Sequence, residues 1–344
     1  KTEPLTQEEA KTVLTSAGKE METTMMEVMT TPATGALMNL MVLTNFDLTF
    51  TPKAIPFANL LLNPTEFDAQ TVVKGLIAPA VMNTKGDNPT PERGTFTWNF
   101  TANTWDYSAA PGDMLVYVFP SSEVQTINDA ILTISNLNEV TQNNQSFLTS
   151  ASISITIAEE TVMQANYLAI MNDKGISKLD IDLTMEPFQL GATLETVSTN
   201  NTVKVIVSHS IKKLNVSISS SNVELVVEGI TSINPFTMDD MDDELIPKTI
   251  KGYLQMGEVK AQIDCAVTAY LAATINATDP NIAVSAANEH LKIGFYSYPN
   301  GAKMGLVVWE WDVAEREITP FFEYNNGTKE ALDKAFDFSI DFDF

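Results

Sequence analysis

Two histidines, one cysteine and 44 acidic residues are the groups in this 344-residue chain from which chemistry would have to be built. His209 continues the alternation of Val203, Val205 and Val207, which makes it a partly buried strand residue, and His290 closes a short helical piece. Neither stands in an H-E-x-x-H spacing, where two imidazoles one helical turn apart would hold a zinc ion. The chain has no G-x-S-x-G elbow, which would raise a serine onto a strained turn, and no P-loop or G-x-G-x-x-G phosphate cradle. Triad members are scattered in sequence, so residue counting alone does not dismiss a Ser-His-Asp arrangement. Cys265 cannot form an internal disulfide or a cysteine-cluster metal site, and it alternates with Val259, Ala261 and Ile263 as a small core residue would. The run Asp239 to Glu244 clusters carboxylates that could take Ca²⁺, but it lacks the EF-hand spacing and glycine and reads as a solvated loop. A glycosidase needs two carboxylates about 5 to 10 Å apart, and among 44 acids no pair is singled out; Asp180 and Asp182 share the wet side of one strand. No catalytic residue, metal ligand or cofactor is expected.

Side chains that bind without reacting are better represented. Met21, Met25, Met26, Met29, Met38 and Met41 crowd the first two helical stretches. Flexible, polarisable thioethers can form an adaptable apolar surface, though such residues more often fill core. Met21, Met25, Met38 and Met41 are therefore one candidate ligand surface. Trp309 and Trp311 project to one side of a strand, and Tyr296 and Tyr298 lie on its hairpin partner, where they could join in an aromatic platform for sugar rings.

The elements that must position these groups change character along the chain. Thr6 and Glu9 have capping-box spacing, and Ala10, Val13, Leu14, Ala17, Met21, Met25 and Val28 recur at helical intervals. Pro32 interrupts that helix, a second apolar stretch covers Ala36 to Leu43, and two further helical candidates span Ala54 to Leu62 and Thr65 to Val81. After a polar linker at Asn83 to Gly94 the period shifts to two: Phe96, Trp98 and Phe100, then Ile153, Ile155 and Ile157, then Leu179, Ile181, Leu183 and Met185. Leu214 to Ile218 and Val223 to Val227 read as strands separated by a turn at Ser219 to Asn222, and Tyr253 to Val267 reads as one strand. Short helices at Ala266 to Asn276 and Asn281 to His290 precede a hairpin of Leu291 to Tyr298 and Lys303 to Trp311.

Strands joined this closely must be mostly antiparallel, and their alternation leaves one dry face to be covered. The expected fold is α+β, with N-terminal amphipathic helices packed on a large, curved, mainly antiparallel β-sheet. The expected organisation is a helical region over 1–90 and a β-rich body over 91–344, the two forming separate units or one continuous domain. The C-terminal alternation of Phe336, Phe338, Ile340, Phe342 and Phe344 is like the closing strand of an outer-membrane barrel. Modest glycine and aromatic content and the long helical opening argue against a barrel.

Composition narrows the partners. Twenty basic residues against 44 acidic ones give a formal charge of −24, and Arg93 and Arg316 are the only arginines. Such a chain is repelled by nucleic acid and by anionic membrane surfaces. No run approaches the ~20 apolar residues of a membrane span.

Particular segments carry a resemblance. Gly94 to Asn99 followed by Thr104-Trp105, a strand ending Val118-Phe119-Pro120, Asn128 to Leu132, Ser150 to Ile157, Tyr253 to Met256 and Phe321 to Thr328 resemble segments of an uncharacterised cell-envelope (lipo)protein family of Bacteroides-type bacteria. The similarity covers most of the chain from about residue 90. It implies export to the periplasm or cell surface, with membrane attachment only through a lipid anchor on a cysteine preceding residue 1. It implies no reaction and no site residues. The aromatic alternation at the C-terminus departs from the more helical end of that pattern.

Three functions follow in order. The first is a non-enzymatic envelope protein holding an apolar or amphiphilic ligand, such as a lipid, between helices and sheet. The second is a surface protein that meets glycan or an envelope protein through exposed aromatics. The third is a hydrolase of unknown type.

Overall fold

The computed structural model describes residues 3–44, 93–109, 114–142, 145–172, 175–199, 201–228, 247–298, 300–313 and 316–336. The two helical candidates at Ala54 to Leu62 and Thr65 to Val81, the acidic run Asp239 to Glu244 and the terminal alternation beyond Phe336 lie outside them.

Helix α1 (Gln7–Met29) starts at a complete capping box. Thr6 Oγ1 accepts from the Glu9 backbone N–H, and the Glu9 carboxylate accepts from the Thr6 N–H, so two otherwise orphaned donors are satisfied. Its buried stripe of Ala10, Leu14, Ala17, Met21 and Val28 has the spacing of one helical face. Helix α2 (Pro32–Leu43) follows at once: Thr31 caps it through the Thr34 N–H, and Pro32 occupies the first turn, where its missing donor costs nothing.

Among the described residues sixteen strands form one mainly antiparallel, curved sheet that does not close on itself. The first five are β1 (Gly94–Asn99), β2 (Thr104–Ser108), β3 (Leu115–Phe119), β4 (Ala130–Gln142) and β5 (Gln145–Ile157). The long central strands are β6 (Glu160–Asn172), β7 (Gly175–Met185), β8 (Phe188–Ser198), β9 (Thr202–Lys213) and β10 (Val216–Glu228). The last are β11 (Pro247–Met256), β12 (Val259–Cys265), β13 (Leu291–Ser297), β14 (Lys303–Asp312), β15 (Glu317–Tyr324) and β16 (Lys329–Ala331). From β3 to β16 every strand pairs antiparallel with its neighbour in sequence. At the other end β1 lies between β2 and β3 and pairs parallel with β3. Helices α3 (Val267–Thr274) and α4 (Pro280–His290) lie between β12 and β13, and a short α5 (Leu332–Phe336) follows β16.

The N-terminal helices cross the inner face of this sheet from its last strands towards its first. The Leu5 N–H donates to Lys303 O at the start of β14, and Lys11 pairs with Glu330 on β16. Farther along, Glu27 pairs with Lys213 at the end of β9, and Asn39 of α2 donates to Pro120 O just after β3.

Two readings of the sequence are corrected. Ser219 to Asn222 is not a turn but the middle of β10; the turn is Leu214-Asn215, both with positive φ. Tyr253 to Val267 is not one strand but the β11–β12 hairpin, because Gly257 (φ +52°) turns the chain.

Candidate functional site

Cross-strand register turns the inner face of β8 to β13 into rows. One row runs Leu190, Ile211, Ser219, Met256, Val259 across successive strands and is buried. The next runs Ala192, His209, Ser221, Leu254, Ala261, Phe295. Beyond it come Leu194, Val207, Val223, Gly252, Ile263, Ile293, then Thr196, Val205, Leu225, Ile250, Cys265, Leu291. Those last three rows contain no Asp, Glu, Lys or Arg. Burial along them is uneven. Val203, Val227 and Cys265 are enclosed at the far end, yet Leu194, Val205, Val207, Val223, Leu225, Ile250, Ile263 and Ile293 are only half-buried, and Leu254 is 37% exposed. An uncharged apolar trough therefore lies between the row buried beside Met256 and the far end of the sheet.

One wall of the trough is polar. His209 and Ser221 face each other across β9 and β10, both 7% exposed. Ser219 Oγ donates to the Gln255 carbonyl at 3.0 Å, so towards His209 Nε2, 3.1 Å away, it can only accept. His209 therefore carries its proton on Nε2. Its Nδ1 is then an acceptor, and the Ser221 hydroxyl, 2.5 Å from it, donates to it. Burial, with no compensating carboxylate, lowers the imidazole pKa to about 4, so His209 is neutral near neutral pH. The result is a directional chain: Ser221 to His209 to Ser219 to the Gln255 carbonyl. It resembles a catalytic dyad in its contacts but lacks an acid to stabilise an imidazolium.

Of the residues proposed from sequence, Trp309 touches Leu291 at the end of the last row, and the methionines lie on the N-terminal helices. Met21 is core, Met25 packs partly buried against it, Met41 is half-buried and Met38 points outward at 42% exposure. Trp309 and Trp311 are half-buried. Trp309 Nε1 donates to Leu291 O, and Asn288 of α4 clasps the Trp309 backbone through both its amide N and its O. In the β13–β14 ladder Gly294 pairs with Leu306 and Phe295 with Gly305, before a bulge shifts Tyr296 onto Lys303. Tyr296 shares the face of Gly294 and Leu306, opposite to that of Trp309, and Tyr298 lies beyond the end of β13, so the ladder does not gather the four into one platform. Hairpin register sets the face, and the sequence had left that register open. Tyr296 instead folds back over Gly294, where an added Cβ would lie 3.1 Å from its ring.

The chain matches no protein-family model, no curated protein and no solved structure. Its site is therefore read from its own geometry. Among the described residues no group of three His, Cys, Asp or Glu could hold a metal ion, and no helix is long and apolar enough to cross a membrane. Cys265 sits in the far row with its thiol pKa raised, first by burial and then by Asp264 beside it. Sequence reasoning passed over Ser219, Ser221 and Leu254. The usable signal was the two-residue spacing of Ser219 and Ser221, which continues the alternation of Val223, Leu225 and Val227 that follows, although a bulge separates it from Leu214, Val216 and Ile218.

Proposed function

We propose that the protein is a non-enzymatic binding protein that holds an apolar or amphiphilic molecule in the trough on the inner face of its sheet. The supporting observation is the pair of uncharged rows around Val207 and Val223, half-buried between enclosed rows, with Leu254 partly exposed among them. Apolar surface left accessible on the helix-covered face favours a ligand that removes it from water, at about 25 cal/mol per Å². A cell-envelope setting, with lipid anchoring, belongs to the same reading and is supported by the resemblance of the strand and turn segments.

Native mass spectrometry of gently purified protein, followed by organic extraction, tests this reading. A stoichiometric lipid-like adduct is expected, together with saturable uptake of an uncharged apolar dye such as Nile red. Leu254→Lys places an ammonium in the trough at a position that tolerates exposure, and it should weaken dye uptake at least about tenfold. A clean apoprotein mass together with no saturable dye uptake would overturn the reading.

A further inference from the structure

The directional hydrogen-bond chain specifies a head group, and the inference rests on the trough being the binding site. Because the Gln255 carbonyl commits the Ser219 proton, and Ser219 fixes the His209 tautomer, the Ser221 hydroxyl proton is committed to His209 Nδ1. Ser221 Oγ keeps acceptor lone pairs and has no proton left to give. It lies in the same row as the partly exposed Leu254, directly opposite it across β10 and β11. A ligand group reaching this wall must therefore donate.

Charge narrows the class further. The rows beyond Ser221 hold no cation. Lys213, two positions along β9 from Ile211, is engaged by Glu27 of α1 and lies over the Phe188 ring. The chain as a whole carries a formal charge of −24. A carboxylate or phosphate head would enter an apolar site without a counter-charge and against that field. We infer that the trough takes an uncharged amphiphile, an aliphatic or alicyclic alcohol, whose hydroxyl donates to Ser221 Oγ while its hydrocarbon covers Val207, Val223, Leu254 and Ile263.

Displacement of Nile red at pH 7.5 by three ligands of equal chain length decides this. 1-Decanol has the donor, 1-methoxydecane lacks it, and decanoate is an anion. Decanol is expected to displace the dye at about tenfold lower concentration than either of the others. Ser221→Ala should erase the advantage of the alcohol over the ether. If that variant fails to fold, the three-ligand comparison on the unaltered protein carries the decision. Equal displacement by alcohol and ether, or displacement by decanoate as strong as by decanol, overturns the head-group inference and leaves the trough reading standing. Failure of the dye to bind at all overturns both.

Discussion

A histidine enclosed by serines and apolar strands makes the stability of this protein depend on acid in a defined window. His209 titrates near its ordinary value of 6.5 when unfolded and at about 4 when folded. Between those two values the unfolded chain binds the extra proton, so stability falls as the pH drops from about 6.5 to about 4 and the contribution is lost below that. The full effect is roughly 3 kcal/mol at 1.36 kcal/mol per pH unit. Urea midpoints at pH 7.5 and 4.5 for the unaltered protein and for His209→Gln should therefore converge towards acid. A difference that stays constant with pH would contradict the enclosure of the imidazole. This residue was half legible beforehand: the alternation Val203, Val205, Val207 gave its place on the strand. Its partners were hidden because three serines and an asparagine in succession look like a turn, whereas here Ser219 and Ser221 satisfy their hydroxyls on Gln255 and His209 and stay extended.

At the level of the strands, the β10–β11 pair depends on one glycine. Gly252 has φ +150°, and an added Cβ would sit 2.0 Å from the Asn222 carbonyl oxygen, a backbone atom that cannot swing aside. Gly252→Ala should cost more than about 2 kcal/mol in chemical denaturation. Gly301→Ala should cost only about 1 kcal/mol, because that glycine has φ +74° but nothing within 4 Å of an added Cβ. Equal losses in the two variants would dispute the close approach of β11 to β10. Element boundaries explain where the sequence was and was not informative. The period-two runs and the capping box announced most strands and α1, since both follow from local spacing. The β11–β12 turn escaped because Gly257 interrupts an otherwise alternating run with a single left-handed residue, and the face of the Tyr296 side chain depends on a hairpin register that no local pattern encodes.

The whole molecule works against its own charge. Ion pairs among the described residues, such as Lys11 with Glu330 and Lys204 with Glu224, join partly exposed groups, and such pairs add little. The excess of carboxylates remains as mutual repulsion in the compact state. The melting temperature should rise by several degrees when NaCl goes from about 10 mM to about 0.5 M, where the screening length falls from about 30 Å to about 4 Å. Unchanged or falling melting would show that the acidic groups are spaced too far apart to repel. The general architecture, helices on an antiparallel sheet, was legible from periodicity alone because from β3 onward each strand pairs with its sequence neighbour. The path of α1 was not, because it is fixed by contacts far apart in sequence: Leu5 just before it meets Lys303, and Lys11 meets Glu330. That path has a consequence for biogenesis. At about 5 to 20 residues per second, the first helix emerges from the ribosome tens of seconds before the strands that receive it. During that interval the N-terminal end of its apolar stripe lacks the last strands, and only its C-terminal end and α2 have early strands to meet. Of the elements described, α1 precedes the strands that seat it by most of the chain, so a holding chaperone would have its natural substrate in that nascent helix.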